Sequence, residues 1–420
     1  MTGLAGHLGA AQPEANESLG GTDTRPADVA RPELQDGNLW PGPEQTLLLR
    51  AATADGDRAI TAFRDWCEQV DFDRQVSWST MRLLPAVYAN MLRLGVTTPL
   101  MGRLKGLYRR AWVANNTLFA RVAPAIRALS DSGLPLLLLK GIPLSHAYNA
   151  SHAVRPMMDA DVCVHYSDAT RAVEMLRALG WVPTCELTDD RLQFFHALQF
   201  LHPDGGQIDL HWHVMVETPA AELDALFWEA TEPLQFQGVT VKMLRSTEQL
   251  FHVMLHGVHW NEETPIRWII DSAAIIRARA DDIDWARVEA LAVRLKVTYR
   301  IGIALAFLQR EGFATVPAEV VARMQAHRPG LMERIEASVV LENYLQWERS
   351  AMRFQWTILA DCARLVDPNS GPWRFLATYS KYLRFRHNVG SRRELIPIVA
   401  RAVGRRLLRR LRTPAVASGA

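Results

Sequence analysis

Cysteine is scarce in this chain: the 420 residues hold four, Cys67, Cys163, Cys185 and Cys362, and no two have C-x-x-C spacing. That speaks against a disulfide framework and a cysteine-rich zinc site, and it leads us to expect a reducing, cytoplasmic compartment. Long apolar runs are missing as well. No stretch approaches the roughly 20 residues a membrane-spanning helix needs. No basic segment followed by an apolar core opens the chain, so no signal peptide is expected. An excess of one charge is also absent. Lys and Arg total 47 against 45 Asp and Glu, a net charge of +2, which by itself implies no strongly electrostatic partner. What remains is 49% hydrophobic and 22% charged, an ordinary folded composition with length enough for two or three domains.

The patterning changes along the chain. Residues 1–45 are rich in Gly, Pro and Ala and carry seven Asp/Glu against two Arg. Such a segment has too little apolar surface to offset its ordering entropy, which predicts a disordered acidic tail. Residues 46–131 repeat apolar positions every three or four residues, as in "WSTMRLLPAVYANMLRLG", and read as helices. In 132–245 the period shifts. "LPLLLLK" (134–140), closed by Gly141, suits a buried strand, and "PLSHAYNA" a short helix. "SDATRAVEMLRALG" has Ser167 as a candidate N-cap and Gly180 as its stop. "HALQFLHPDGGQIDLHWHV" and "LQFQGVTVKML" read as hairpins turning at Pro203–Gly206 and Gln237-Gly238. From 246 to 398 helices return, opened by Ser246 and Gln249 in capping-box spacing. Residues 399–420 begin with "VARAVGRRLLRRLR", a basic amphipathic helix. Between a weak contact of 399–412 with an anionic surface and a solvated surface helix, the second is preferred because Gly404 weakens the helix and no aromatic anchor is present.

The chemistry concentrates in "VRPMMDADVCV" (154–164). In a strand, alternate side chains share a face, so Asp159, Asp161 and Cys163 lie on one side and Ala160, Val162 and Val164 on the other. Two ionised carboxylates about 7 Å apart on one strand resist unpaired burial and call for water or a cation. "QIDLHWHV" repeats the logic: Asp209, His211 and His213 share a face opposite Ile208, Leu210 and Trp212. Three carboxylates on neighbouring strands are oxygen ligands suited to Mg²⁺ or Mn²⁺.

Four segments together resemble the polymerase-beta-like nucleotidyltransferase superfamily, in a poorly characterised bacterial branch: "LLLLKGIPLSHAY" (136–148), "RPMMDADVCV" (155–164), "GGQIDLHWHV" (205–214) and "HGVHWNEETPIRWIIDSAAII" (256–276). The resemblance spans about residues 46–300. It implies an α+β fold, with a small mixed-sheet nucleotidyltransferase core between N-terminal and C-terminal helical regions. It also implies transfer of an NMP group from an NTP to an acceptor, with loss of pyrophosphate. Asp159, Asp161 and Asp209 would be the catalytic metal-binding acids. The superfamily places a Gly-Ser or Gly-Gly pair after the preceding strand to meet the triphosphate. This chain has Lys140-Gly141 there, 18 positions before Asp159 counted from Gly141.

Around the acids, Lys140 is expected to bind phosphate as a point cation. Arg155 either neutralises phosphate or pairs with an aspartate. His211 is expected to orient Asp209, and a zinc site at His211-x-His213 is disfavoured without nearby cysteines. His252, His256 and His259 fall on one helical face. His256 and Asp271 are candidates of second rank. Three other readings stand beside this one: a binding or regulatory protein that kept the fold without catalysis, an RNA-end nucleotide-adding enzyme, and a membrane adaptor acting through 399–412. The acceptor, whether small molecule, protein or RNA end, is not legible.

Overall fold

Seven strands form one mixed sheet, in the order β3-β4-β5-β2-β1-β7-β6. They belong to a computed structural model that describes residues 39–73, 76–259, 264–341, 359, 361–366, 371–387, 389, 391 and 393–394. The basic stretch 399–412 and residues 1–38 of the acidic tail lie outside these. The last residues of that tail belong to the fold: Trp40 stacks on Phe307 at 4.5 Å, and Pro43 opens a helix.

The chain divides into two compact units. The larger, Gln35–Asp367, begins with five helices. They are α1 (Pro43–Thr53), α2 (Gly56–Gln69), α3 (Trp78–Met81), α4 (Leu84–Arg93) and the long α5 (Leu100–Asp131). The sheet region follows with β1 (Leu137–Leu139), α6 (Gly141–Pro143), a π-helical turn (Leu144–Tyr148), β2 (Ala160–Cys163) and α7 (Ala169–Ala178). Next come β3 (Val182–Pro183), α8 (Asp189–Phe194), β4 (Ala197–Leu201), β5 (Gln207–His211), α9 (Ala221–Trp228), β6 (Thr231–Phe236) and β7 (Val239–Leu244). Helices α10 (Ser246–Gly257), α11 (Arg267–Arg279), α12 (Trp285–Arg294), α13 (Thr298–Glu311), α14 (Ala318–Ala326) and α15 (Leu331–Leu341) close it. The smaller unit, Met1–Leu34 with Pro368–Ala420, contains the helix Pro372–Arg386, started by Gly371 at φ 80° and Pro372 at its first turn.

The alternation read in the sequence separates two apolar cores, one on each sheet face. Leu138, Ala160, Val162, Ile208 and Leu210 pack with Phe119, Val122 and Ile126 of α5 and Val173 and Leu176 of α7. Leu137, Leu139, Cys163 and Leu244 turn the other way, into the core shared with α1, α4, α10, α11 and α13. The hairpins form where turn residues predict them. Gly205 takes φ 91° between β4 and β5, while Gln237 (φ 50°) and Gly238 (φ 76°) turn β6 into β7. Gly180, at φ 85°, ends the α7 segment as expected.

Two caps differ from expectation. Ser167 lies inside a 3₁₀ turn, Tyr166–Asp168, so Asp168 takes the N-cap place of α7. Ser246 is the first residue of α10 and makes no cap bond, because β7 runs into the helix through an extended Arg245. Its hydroxyl instead lies 3.4 Å from Tyr148 Oη, and Gln249 is buried within the core.

Helix α10 is pinned at both flanks. Gly257 meets α11 so closely that a Cβ would overlap Trp268. The carbonyls near its end are taken by buried Arg300 of α13, whose Nη2 donates to Leu255 O at 2.6 Å and Nε to Val258 O at 3.2 Å. Arg300 also pairs with Glu217. Burial pushes the Glu217 carboxyl up, but the Arg300 and Arg364 guanidiniums outweigh it and hold it below its ordinary value.

Candidate active site

The sheet register builds the site. β2 runs parallel to β5 with Asp161 opposite Asp209, and antiparallel to β1 with Leu139 opposite Asp161. Asp159 lies one residue ahead of β2. One ligand oxygen from each of Asp159, Asp161 and Asp209 falls within 4.8 Å of the others. Asp161 is buried, and the other two are half-buried. Their face is the one turned toward α10 and α11.

The loop that delivers Asp159 is clamped from the opposite core. Asn115, in the middle of α5, is fully buried. Its Nδ2 donates to Arg155 O at 2.8 Å and to His152 O, and its Oδ1 accepts the Met157 N–H at 2.9 Å. An amide side chain offers both donors and an acceptor, so one residue satisfies three groups of a loop that has no ladder of its own.

At the end of β1, Lys140 adopts φ 47° and ψ −107°, a conformation that side-chain-bearing residues avoid. Its Nζ donates to Asp161 Oδ1 at 2.6 Å. Next to it, Gly141 has no room for a side chain: a Cβ would stand 2.5 Å from Met157 Sδ and 3.2 Å from Arg155 Nη1. His211 completes the surroundings of Asp161, with Nε2 at 3.1 Å from the same Oδ1. Burial pushes the His211 pKa down, and the neutral ring carries its proton on Nε2, because a carboxylate can only accept. His211 therefore orients Asp161 and not Asp209, contrary to expectation. Side chains two apart on one strand stand about 7 Å from each other, and the neighbouring strand is nearer.

The electrostatics divide the acids. Burial raises Asp161, but Lys140 and the His211 N–H outweigh it and hold the carboxyl far below the usual range. Asp209, buried beside Asp161 and Asp159 with only a 3.3 Å bond from Gln207, is raised to about 7. Burial alone would lower Lys140, yet Asp161, Asp159 and Asp209 keep it raised and charged. Like charges this close cannot all ionise without a cation, and hard oxygen donors suit Mg²⁺ or Mn²⁺. The residues present fit a divalent ion.

Two arginines stand beside the acid loop. Arg155 Nε lies 3.0 Å from both oxygens of Asp271, so the aspartate-pairing alternative is what forms. Arg267, four residues before Asp271 on α11, donates from Nη1 to Pro156 O at 3.0 Å. Burial and the Arg155 and Arg82 guanidiniums all work against the Arg267 charge. Arginine keeps its proton in proteins, so such a cluster favours an anion nearby. Arg267 was not singled out in the sequence. Its signal was the i, i+4 Arg/Asp spacing, which is common on exposed helices and therefore weak.

The histidines line up as the helical spacing predicts. The ring of buried His252 lies 6.1 Å from that of His256, and the ring of His259 lies 6.0 Å from that of His256, just past the end of α10. His256 keeps an exposed edge and makes no bond to the acids. Burial lowers His252 to about 3, so it is neutral. His213 shares the acid face but pairs with Asp224, 2.5 Å from Nδ1 to Oδ2. Asp224 also accepts from Val214 N and Thr218 Oγ1, both at 2.8 Å, which makes it a structural clasp that sequence spacing did not reveal.

No curated protein matches the chain significantly. Among solved structures, it is similar to the antibiotic-resistance factor ANT(2'')-Ia, at 15% identity and a TM-score of 0.32 over 47% of this chain and 98% of that one. It is also similar to an antigenic nucleotidyltransferase-like protein from Paracoccidioides brasiliensis, at 13% identity and a TM-score of 0.32 over 50% and 98%. The family described as uncharacterised nucleotidyltransferase matches residues 69–310. That match takes in more than half of the chain and every residue of the acid cluster, and the chain belongs to this family.

Proposed function

We propose that this protein is a metal-dependent nucleotidyltransferase of the polymerase-beta-like type. In this reading it transfers an NMP group from an NTP to an acceptor hydroxyl or amine. The observation that carries it is the convergence of three aspartates, from β2, the residue just before it and β5, to within 4.8 Å at their ligand oxygens. Asp159, Asp161 and Asp209 would hold Mg²⁺ or Mn²⁺, which when bound offsets charge on the phosphates and lowers the barrier to in-line displacement.

The chain's own groups do the rest. Lys140, charged and fixed by Asp161, supplies a cation to phosphate oxygens, and Gly141 lets Met157 and Arg155 pack against the turn that presents it. Arg267, beside the Arg155–Asp271 pair, carries positive charge to the same side, where pyrophosphate gathers as it leaves. His211 holds Asp161 in place. The acceptor oxygen or nitrogen bonds to the α-phosphorus while the bond to the β-bridging oxygen breaks. The acceptor's proton passes to the Asp209 carboxylate.

The test is cell extract incubated with the protein, Mg²⁺ and isotopically labelled NTPs, followed by mass spectrometry for an added nucleotide. Asp159→Asn and Asp161→Asn should each reduce transfer at least 100-fold. Transfer that persists unchanged in both variants overturns the assignment.

A further inference from the structure

One cation of the acid cluster is part of the chain. Lys140 Nζ lies 2.6 Å from Asp161 Oδ1, with the lysine side chain 19% exposed and the aspartate 3%. The same oxygen accepts from His211 Nε2 at 3.1 Å. Oδ1 of the central carboxylate is thus committed to two fixed protein donors, and a divalent ion held with Asp159 and Asp209 would share this carboxylate with them. In a two-ion site the ions stand about 3.5–4 Å apart on either side of the chemistry. A carboxylate placed between them can give one oxygen to each. Asp161 already gives one of its oxygens to an ammonium here.

The backbone adds an independent observation. Lys140 sits at φ 47° and ψ −107°, where a glycine would meet no steric penalty. A lysine kept there against its backbone preference points to a demand for its side chain. Its stem is also fixed by the ladder. Leu139 is the rung opposite Asp161, so Lys140 follows directly and cannot drift from the acid. A second divalent ion on this side would have to sit against the ammonium.

We propose that Lys140 is a resident cation that stands where a second divalent ion would otherwise lie, so that the chain takes up a single divalent ion with its nucleotide. The inference rests on the nucleotidyltransferase reading above. Of the three ammonium donors one is spent on Asp161, and two remain for phosphate oxygens. Unlike a second ion, this cation does not depart with pyrophosphate.

Ion counting tests it. The full chain is mixed with the non-hydrolysable α,β-methylene analogues of ATP, GTP, CTP and UTP in turn, equimolar with protein. Bound Mn²⁺ is then read by electron paramagnetic resonance. The expected result is one Mn²⁺ per wild-type chain, two in Lys140→Met and one in Lys140→Arg. Two ions in the wild type, with analogue bound, overturn the inference and leave the nucleotidyltransferase reading standing. A Lys140→Met chain that keeps its circular dichroism spectrum and still binds one ion also overturns the inference. Should Lys140→Met fail to fold, the wild-type count alone decides. If the wild type binds neither Mn²⁺ nor any analogue, the nucleotidyltransferase reading itself falls.

Discussion

Arg155 and Asp271 make a two-pronged contact with side chains only 12% and 6% exposed, and the charged Arg267 stands nearby. Removing one partner of a buried pair leaves the other uncompensated, which costs about 3–5 kcal/mol. Asp271→Ala should therefore lower the unfolding free energy by about that amount in urea titration. The double variant Asp271→Ala/Arg155→Met should recover part of it. Residue identities near the site were legible to different degrees. Asp159, Asp161 and Asp209 could be grouped because a period of two assigns each acid a face before any register is known. The bond from His211 to Asp161 could not, since it depends on which strand lies beside β5. Asn115 carries no local mark at all: it is one amide within the 32 residues of α5, and its meaning comes from a loop 37 to 42 positions away.

That loop is where one element governs another. It has no sheet or helix of its own between Asn149 and Asp159, and it is held at three backbone groups by Asn115. Asn115→Ala leaves a buried N–H and two carbonyls without that partner. The net loss should be about 2–3 kcal/mol by denaturant unfolding. In calorimetry, Mn²⁺ should bind more weakly because Asp159 is no longer fixed against β2. Elements with a strong period or a glycine turn were readable, as the two hairpins show. Helices α8 and α9 were not. "DDRLQF" is too short to establish a period, and "AELDALFW" spreads its apolar residues around the helix. The Ser246 capping box misled because spacing alone cannot tell a helix that starts from a loop from one that continues a strand.

At the scale of the whole molecule, acid should weaken the fold through carboxylates whose buried cations keep them ionised. Glu217 is held below its ordinary value of 4.5, so its contribution is complete above that pH and disappears as pH falls through the lower folded value. Asp161 has the same sign. The urea midpoint should fall steadily below about pH 4.5, and Arg300→Met, weaker at neutral pH, should show a shallower fall. The alternation of helical front, sheet and helical back was visible as shifts in apolar period. The order of strands was not, because β1 pairs with β7 and β2 with β5 across more than 40 residues, and no local pattern records such partners.

Asp161 and Asp209 are rungs of the same ladder that hides Val162 and Leu210. Sliding β5 by one position would turn Leu210 toward the acid face and send Asp209 into the apolar core, while Val162 on β2 stayed where it is. Loss of the acid cluster without loss of the fold therefore has to come from replacing Asp159, Asp161 or Asp209 themselves.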